Sequence, residues 1–187
     1  MKRMLLVLAA TLSAASSVHA DDIAAYADIS GTSCAFTNVP AGPPGFSVYV
    51  IHKFNAGAGA AQFKFNDTTG FFATSQTTIA GLALGTWNVD WAIAYGAACL
   101  QGDLIIATLN FLYFGGALSC ANNLETDFAP TSPIPGAIAL VNCDGDFESA
   151  TGGVLNFGPG SDTCDTAFCG VNPVEEKTWG GVKALFR

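Results

Sequence analysis

Trp87, Val89, Trp91, Ile93 and Tyr95 take every second position of the stretch 87–95, with Asn88, Asp90 and two alanines between them. Successive side chains of a strand point to opposite faces, so this period of two predicts a strand with one buried and one outward side. The pattern recurs. Phe46, Val48, Val50 and Phe54 alternate with Ser47 and Lys53, and Phe63 and Phe65 with Gln62 and Lys64. A first strand is expected over Ile23–Asp28, with further strands over Ala137–Cys143 and Val154–Phe157 and a shorter one over Thr78–Leu84. Leu104–Phe114 is almost continuously apolar and predicts a strand buried on both faces or a central strand of a sandwich. Residues 55–59, rich in Gly and Ala, predict a flexible link, and Asp144-Gly145 a tight turn between two strands. Seven or eight short strands with little helical periodicity predict an all-β chain, an antiparallel β-sandwich.

The chain opens on Lys2-Arg3, an apolar run over Met4–Leu12, and Val18-His19-Ala20 before Asp21-Asp22. That is the form of a cleavable export leader over 1–20. All six cysteines, Cys34, Cys99, Cys120, Cys143, Cys164 and Cys169, lie downstream. An even number in an exported chain predicts a disulfide framework. The pairings expected are Cys164–Cys169 locally, Cys120–Cys143 across a return connection and Cys34–Cys99 between loops. A zinc site built from Cys164 and Cys169 is disfavoured in an oxidising compartment that offers no histidine partner. A sandwich domain is expected over 21–157, followed by a cysteine-containing linker and tail over 158–187. No later apolar run reaches the ~18 residues of a membrane helix.

Two of the seven basic residues and none of the fifteen acidic ones fall in the leader, so the remainder carries five basic residues and a net charge of −10. Nucleic acid and anionic membranes both call for basic patches, and neither is expected as a partner. Charged residues make up only 12% of the chain, which leaves Thr, Ser, Asn, Gly and Ala to form the surface.

Little in the sequence suits catalysis. His52 is the one histidine beyond the leader, and its place in the alternating strand beside Val48 and Val50 predicts a hydrogen-bonded structural role rather than a catalytic one. Asp90, Asp103 and Glu148 are the carboxylates a glycan hydrolase could pair, but Asp90 is expected on the face opposite Trp87 and Trp91. Asn142, Asp144, Asp146 and Glu148 alternate around the Asp-Gly turn and offer the oxygen ligands calcium takes, although a solvated turn is the stronger expectation. Asn66-Asp67-Thr68 matches a glycan acceptor. No cofactor and no enzymatic activity are expected.

Ser47-Val-Tyr-Val, Gly59-Ala-Ala-Gln-Phe-Lys-Phe and Asp103-Leu-Ile-Ile-Ala-Thr-Leu-Asn-Phe together resemble cohesin-type and related carbohydrate-binding β-sandwiches over residues 23–157. The resemblance implies a cohesin-like or immunoglobulin-like sandwich that binds a protein or polysaccharide. The ending Trp179-Gly-Gly-Val-Lys-Ala-Leu-Phe-Arg187, with Gly31-Thr-Ser-Cys34, Ala61-Gln-Phe63 and Tyr95-Gly-Ala-Ala-Cys99, resembles a family of exported bacterial proteins. That resemblance implies a terminal sorting or docking element, in which Trp179, Val182, Lys183, Leu185, Phe186 and Arg187 take part. Equally, Trp179 and Leu185 could cover an open part of the sandwich. The function expected is a secreted, periplasmic or cell-surface interaction or structural module. The alternatives are a carbohydrate-binding or carboxylate-dependent glycan-hydrolysing protein and an outer-membrane β-barrel.

Overall fold

The computed structural model describes residues 21–53, 55–79, 82–96 and 99–164. The expected leader and the tail residues Trp179 to Arg187 lie outside that set. Among the described residues twelve strands run in chain order: β1 (Asp22–Tyr26), β2 (Ala35–Phe36), β3 (Phe46–Lys53), β4 (Ala58–Asp67), β5 (Phe72–Thr78), β6 (Ala83–Thr86), β7 (Asp90–Ala94), β8 (Leu104–Leu112), β9 (Asn123–Asp127), β10 (Ile138–Asn142), β11 (Phe147–Gly152) and β12 (Val154–Phe157). A 3₁₀ turn over Ser161–Thr163 follows.

The strands form a disulfide-linked β-sandwich. One layer runs β5-β8-β3-β1, with β11 beside β1; the other is built around β4, which pairs with β7, β9 and β10. β11 pairs with both β10 and β1, so one continuous ladder wraps from layer to layer. The pairing is antiparallel except at two places, β1 with β11 and β2 with β12, which run parallel. Among the described residues the ladder runs from β2 to β5. Among the described residues no helix is long and apolar enough to cross a membrane.

Alternation decides which side chains fill the space between the layers. Phe46, Val48 and Val50 of β3, Phe63 and Phe65 of β4, Trp91 and Ile93 of β7 and Ile106, Leu109 and Phe111 of β8 are all buried in one cluster. The rings interlock edge to face: Phe71 with Phe157 at 5.0 Å and 90°, and Trp87 with Phe111 at 5.6 Å and 89°. Such contacts add ~0.5–1.5 kcal/mol each beyond the area they bury.

Several expectations are corrected in detail. β1 starts and stops earlier than Ile23–Asp28, because Asp28 caps the following loop by accepting the backbone N–H of Ser33 at 2.6 Å. Val89 is exposed, since residues 87–89 turn and β7 begins only at Asp90. β8 is a central strand between β3 and β5, as the second reading had it, and it alternates rather than burying both faces throughout: Leu104, Thr108 and Asn110 are half-buried, and Phe114 beyond it is exposed. No single strand covers Thr78–Leu84; β5 ends at Thr78 and β6 starts at Ala83. The link over 55–59 is already ordered as the start of β4 at Ala58. The Asp144-Gly145 turn is present, with Gly145 at φ 89 and Asn142 Oδ1 accepting the N–H groups of Asp144 and Asp146 at 3.0 and 2.9 Å.

The disulfides differ from the expected pairing. Cys99 bonds Cys143 and Cys120 bonds Cys164, with Cα separations of 5.4 and 5.6 Å and 44 residues spanned by each. Register explains both. Ala58 lies between Leu100 and Asn142, which brings the neighbouring Cys99 and Cys143 together. Asn123 pairs with Asn156, and Phe157 N–H donates to Asn122 O at 3.0 Å, so the segment after β12 meets the one before β9. The local pair Cys164–Cys169, the Cys120–Cys143 pair and the Cys34–Cys99 pair are therefore excluded. Cys34 is oxidised as well. The bridge at Cys164 and a bond from Gly158 N–H to Phe36 O at 2.9 Å hold residues 158–164 on the sandwich.

Candidate functional site

β7 carries Trp91 and Ile93 inward and alanines outward, and the outward side is where the sandwich presents a surface unlike the rest. Pairing aligns Leu82, Ala94, Ala60, Val141 and Phe147 in one row across β6, β7, β4, β10 and β11. The next row holds Leu84, Ala92, Gln62, Ala139 and Ser149. Leu82 and Phe147 are each 59% exposed and Leu84 72%. Between them the alanines form a low floor. A groove of about 190 Å³ lies where Leu82 and Leu84 stand over Ala60, Ala92 and Ala94. Contiguous exposed apolar surface of this kind marks interaction sites in soluble proteins.

Polarity rises along β4. Gln62 Nε2 donates to Asp90 Oδ1 and to Thr131 Oγ1, both at 2.8 Å, and Thr131 Oγ1 donates to Asp90 Oδ2. Partial desolvation raises the Asp90 carboxyl, but these hydrogen bonds outweigh it and hold the group below the usual carboxylate range. Asp90 therefore stays ionised. Beyond it, Lys64 Nζ lies 3.5 Å from Asp127 Oδ2, and Asn66 Nδ2 donates to the same oxygen at 3.0 Å. At the apolar end, the Cys99–Cys143 bridge joins the connection after β7 to the end of β10. Gly57 (φ 145) leaves room for it, since a Cβ there would stand 2.5 Å from Cys143 Sγ. The face is thus braced at both ends.

The residues singled out from sequence fall elsewhere. His52 is fully buried, with Nδ1 3.0 Å from the Tyr95 hydroxyl and Nε2 3.3 Å from Asp21 Oδ1. Burial holds its pKa below the ordinary value against the opposing pull of Asp21, so the ring is neutral. Nε2–H donates to Asp21, and Nδ1 accepts from Tyr95, whose own ionisation burial suppresses. Asp90 does face away from Trp91, which is wholly buried. Asp90, Asp103 and Glu148 sit on β7, on the loop before β8 and on β11, with separate neighbours: Asp90 meets Gln62 and Thr131, Asp103 acts on Tyr26 and His52, and Glu148 accepts from Asn142 at 2.7 Å. Asn142 turns its oxygen to the backbone of Asp144 and Asp146, and its amide to Glu148. Of the four residues considered for calcium, Asn142 and Glu148 thus spend side-chain oxygens on the turn itself. Among the described residues no group of three or more His, Cys, Asp or Glu side chains could hold a metal. Leu82, Leu84, Val141 and Phe147 were not legible as a site. The available signal was the pair of outward alanines, Ala92 and Ala94, on an otherwise aromatic strand.

No protein-family model matches the chain, and no curated protein matches it in sequence. Solved structures resemble its backbone. A cohesin module from the Clostridium perfringens family 33 glycoside hydrolase aligns with a TM-score of 0.49 and 6% identity, over 75% of this chain and 98% of that one. A non-cellulosomal cohesin from Archaeoglobus fulgidus aligns with a TM-score of 0.49 and 12% identity, over 77% and 95%. A type III cohesin module from the ScaE scaffoldin of Ruminococcus flavefaciens aligns at 0.40 and 13%, over 72% and 82%. Each is a similarity of backbone arrangement.

Proposed function

We propose that the protein is an exported, non-catalytic interaction module that holds a partner protein on the outward face of β6, β7, β4 and β10. The observation that carries the reading is the unbroken apolar row Leu82–Ala94–Ala60–Val141–Phe147, whose largest side chains are exposed. An alanine floor lets another chain approach the sheet closely, and the flanking leucines and Phe147 supply the desolvated anchors that dominate binding energy. Asp90, ionised at the margin, and the acidic balance of the whole chain favour a partner that rings its apolar contacts with Lys or Arg. The leader-like start and the disulfides support residence outside the reducing cytoplasm, in the periplasm or at the cell surface.

Ala92→Arg tests this directly. Ala92 is half-exposed at the centre of the floor, so the folded state tolerates the change while the face is blocked. A partner isolated from the native envelope with the wild-type protein should lose at least ~30-fold in affinity for the variant, about 2 kcal/mol. Equal binding by both forms, at unchanged thermal stability, refutes the assignment. So does wild-type protein that proves to occupy this face with a second copy of itself in sedimentation.

A further inference from the structure

Among the described residues the ladder of strands ends at β2 and β5, and the two ends differ. β2 is two residues long, and an edge so short offers little to pair with. β5 is seven, and among the described residues it pairs with β8 alone. Ile79 N–H, just beyond β5, donates to Ile106 O at 3.0 Å, so alternation turns the N–H and C=O groups of Gln76 and Thr78 away from β8. Thr74 to Thr77 are exposed in succession, on both sides of the sheet. Edges left to water are ordinarily blunted by Lys or Pro, and residues 68–89 contain neither, nor a charge of any kind. The one irregularity in the pairing lies between Ala73 and Ser75, near the start of the strand. The rest is braced from the side: Asn110 donates to Ser75 Oγ at 2.9 Å and accepts from Ser47 Oγ at 2.7 Å, which ties β5 to β8 and β3.

We propose that β5 is the edge through which two copies of this chain join, antiparallel and about a two-fold axis at Thr77. That register sets Gln76 of each copy opposite Thr78 of the other, and their outward N–H and C=O groups bond reciprocally. A strand is the partner such an edge demands, because extended backbone presents donors and acceptors at the matching spacing. Neutrality selects a second copy. Beyond residue 20 the chain carries five basic and fifteen acidic residues, so two copies repel overall, yet this edge brings only Thr against Thr and Gln against Thr. Beside it, a groove of about 430 Å³ lined by Gln76, Thr77, Thr78 and Ala83 opens between β5 and β6 and leaves room for the incoming strand. Seven residues of edge bury less than the ~1,200 Å² of a permanent interface, so the dimer dissociates with a Kd of about 10–100 µM. The alanine-floored face lies on the other layer, and this reading does not depend on it.

Sedimentation equilibrium of the exported full-length protein, from about 5 to about 500 µM, is the assay. A monomer–dimer equilibrium is expected, with amide exchange at Gln76 and Thr78 slowed at least threefold at the upper concentration. A monomer throughout, or exchange there that ignores concentration, overturns the proposal. Gln76→Pro removes an outward donor while the bonds to β8 stay in place, as they do at prolines on edge strands. Thr77→Lys sets like charges directly opposite each other even as it lowers the overall repulsion. Each variant should weaken association at least tenfold at unchanged thermal stability, and Thr77→Lys decides if the proline variant fails to fold. Ala92→Arg should dimerise as wild type does. Wild-type association by Thr77→Lys overturns the proposal, and so does a dimer dissolved by Ala92→Arg, which places the contact on the alanine floor instead.

Discussion

Asp22 is a carboxyl placed where the fold disfavours its charge. It is fully buried at the start of β1, between Lys53 of β3 and Thr151 of β11 in the ladder. Thr151 Oγ1 donates to Oδ1 at 3.1 Å and the Tyr26 hydroxyl to Oδ2 at 3.3 Å. Burial nonetheless dominates those bonds and the nearby Lys53 charge, and lifts the pKa from 3.8 to about 7. A group whose folded pKa is raised contributes its full stability below the unfolded value and loses it as pH climbs through the folded one. Asp22 therefore favours the native state at pH 4 and weighs against it by pH 8. A shift of this size corresponds to roughly 4 kcal/mol across that window. Asp22→Asn keeps the shape and an acceptor for Thr151 but removes the charge, so the variant should exceed wild type by only about 1 kcal/mol at pH 4.5 and by several kcal/mol at pH 8. Buried neutral His52 acts in the opposite direction, since its depressed pKa withdraws stability as pH falls below 6.5. It is common to both proteins and cancels in their difference. Urea unfolding midpoints at pH 4.5, 6 and 8, with unchanged slopes, measure the effect. A variant less stable than wild type at pH 8, or a difference that ignores pH, would refute the reasoning.

Two further outcomes follow from packing and covalent linkage. Replacing Cys99 and Cys143 together by Ala frees a 44-residue loop in the unfolded chain, and the chain-entropy account gives a loss of about 4 kcal/mol, read as a lowered urea midpoint. Phe111, fully buried against Phe46, Phe71 and Trp87, should cost ~3–5 kcal/mol when cut to Ala, measured by calorimetry; a loss below ~1 kcal/mol would mean that the aromatic cluster is not the core.

The layers were legible because alternation is a local signal. Phe46-Val48-Val50, Phe63-Phe65 and Trp91-Ile93 each report their own buried face, and the structure uses all of them as read. The short edge and return strands were not legible. β5, as Phe-Ala-Thr-Ser-Gln-Thr-Thr, has almost no buried side chain to set a period, and β2 is two residues long. Disulfide pairing failed for a different reason: it depends on register between distant strands, as where Ala58 draws Leu100 and Asn142 together, and spacing along the chain does not encode that. The face proposed for docking was hidden because its floor is alanine. Ala60, Ala92 and Ala94 read as filler until pairing sets them in adjacent positions between Leu82 and Phe147.

Both layers carry apolar side chains outward, and the size of those side chains sets how much each face would cost if left in water. Tyr26 and Ile51 would each expose a large apolar area, and at ~25 cal/mol per Å² leaving both in water costs several kcal/mol. An alanine floor exposes far less per residue, so the β6-β7-β4-β10 face can stand open without unsettling the fold. It is also stiff. The Cys99–Cys143 bridge fixes one end, and the Gln62–Asp90–Thr131 bonds fix the other. A partner seated there orders only the exposed leucines and Phe147, each costing ~0.5–1.5 kcal/mol in lost rotamer freedom, while the floor contributes burial at almost no entropic cost. An open, braced and small-residue face is the arrangement that gives association at the lowest expense in folded-state stability.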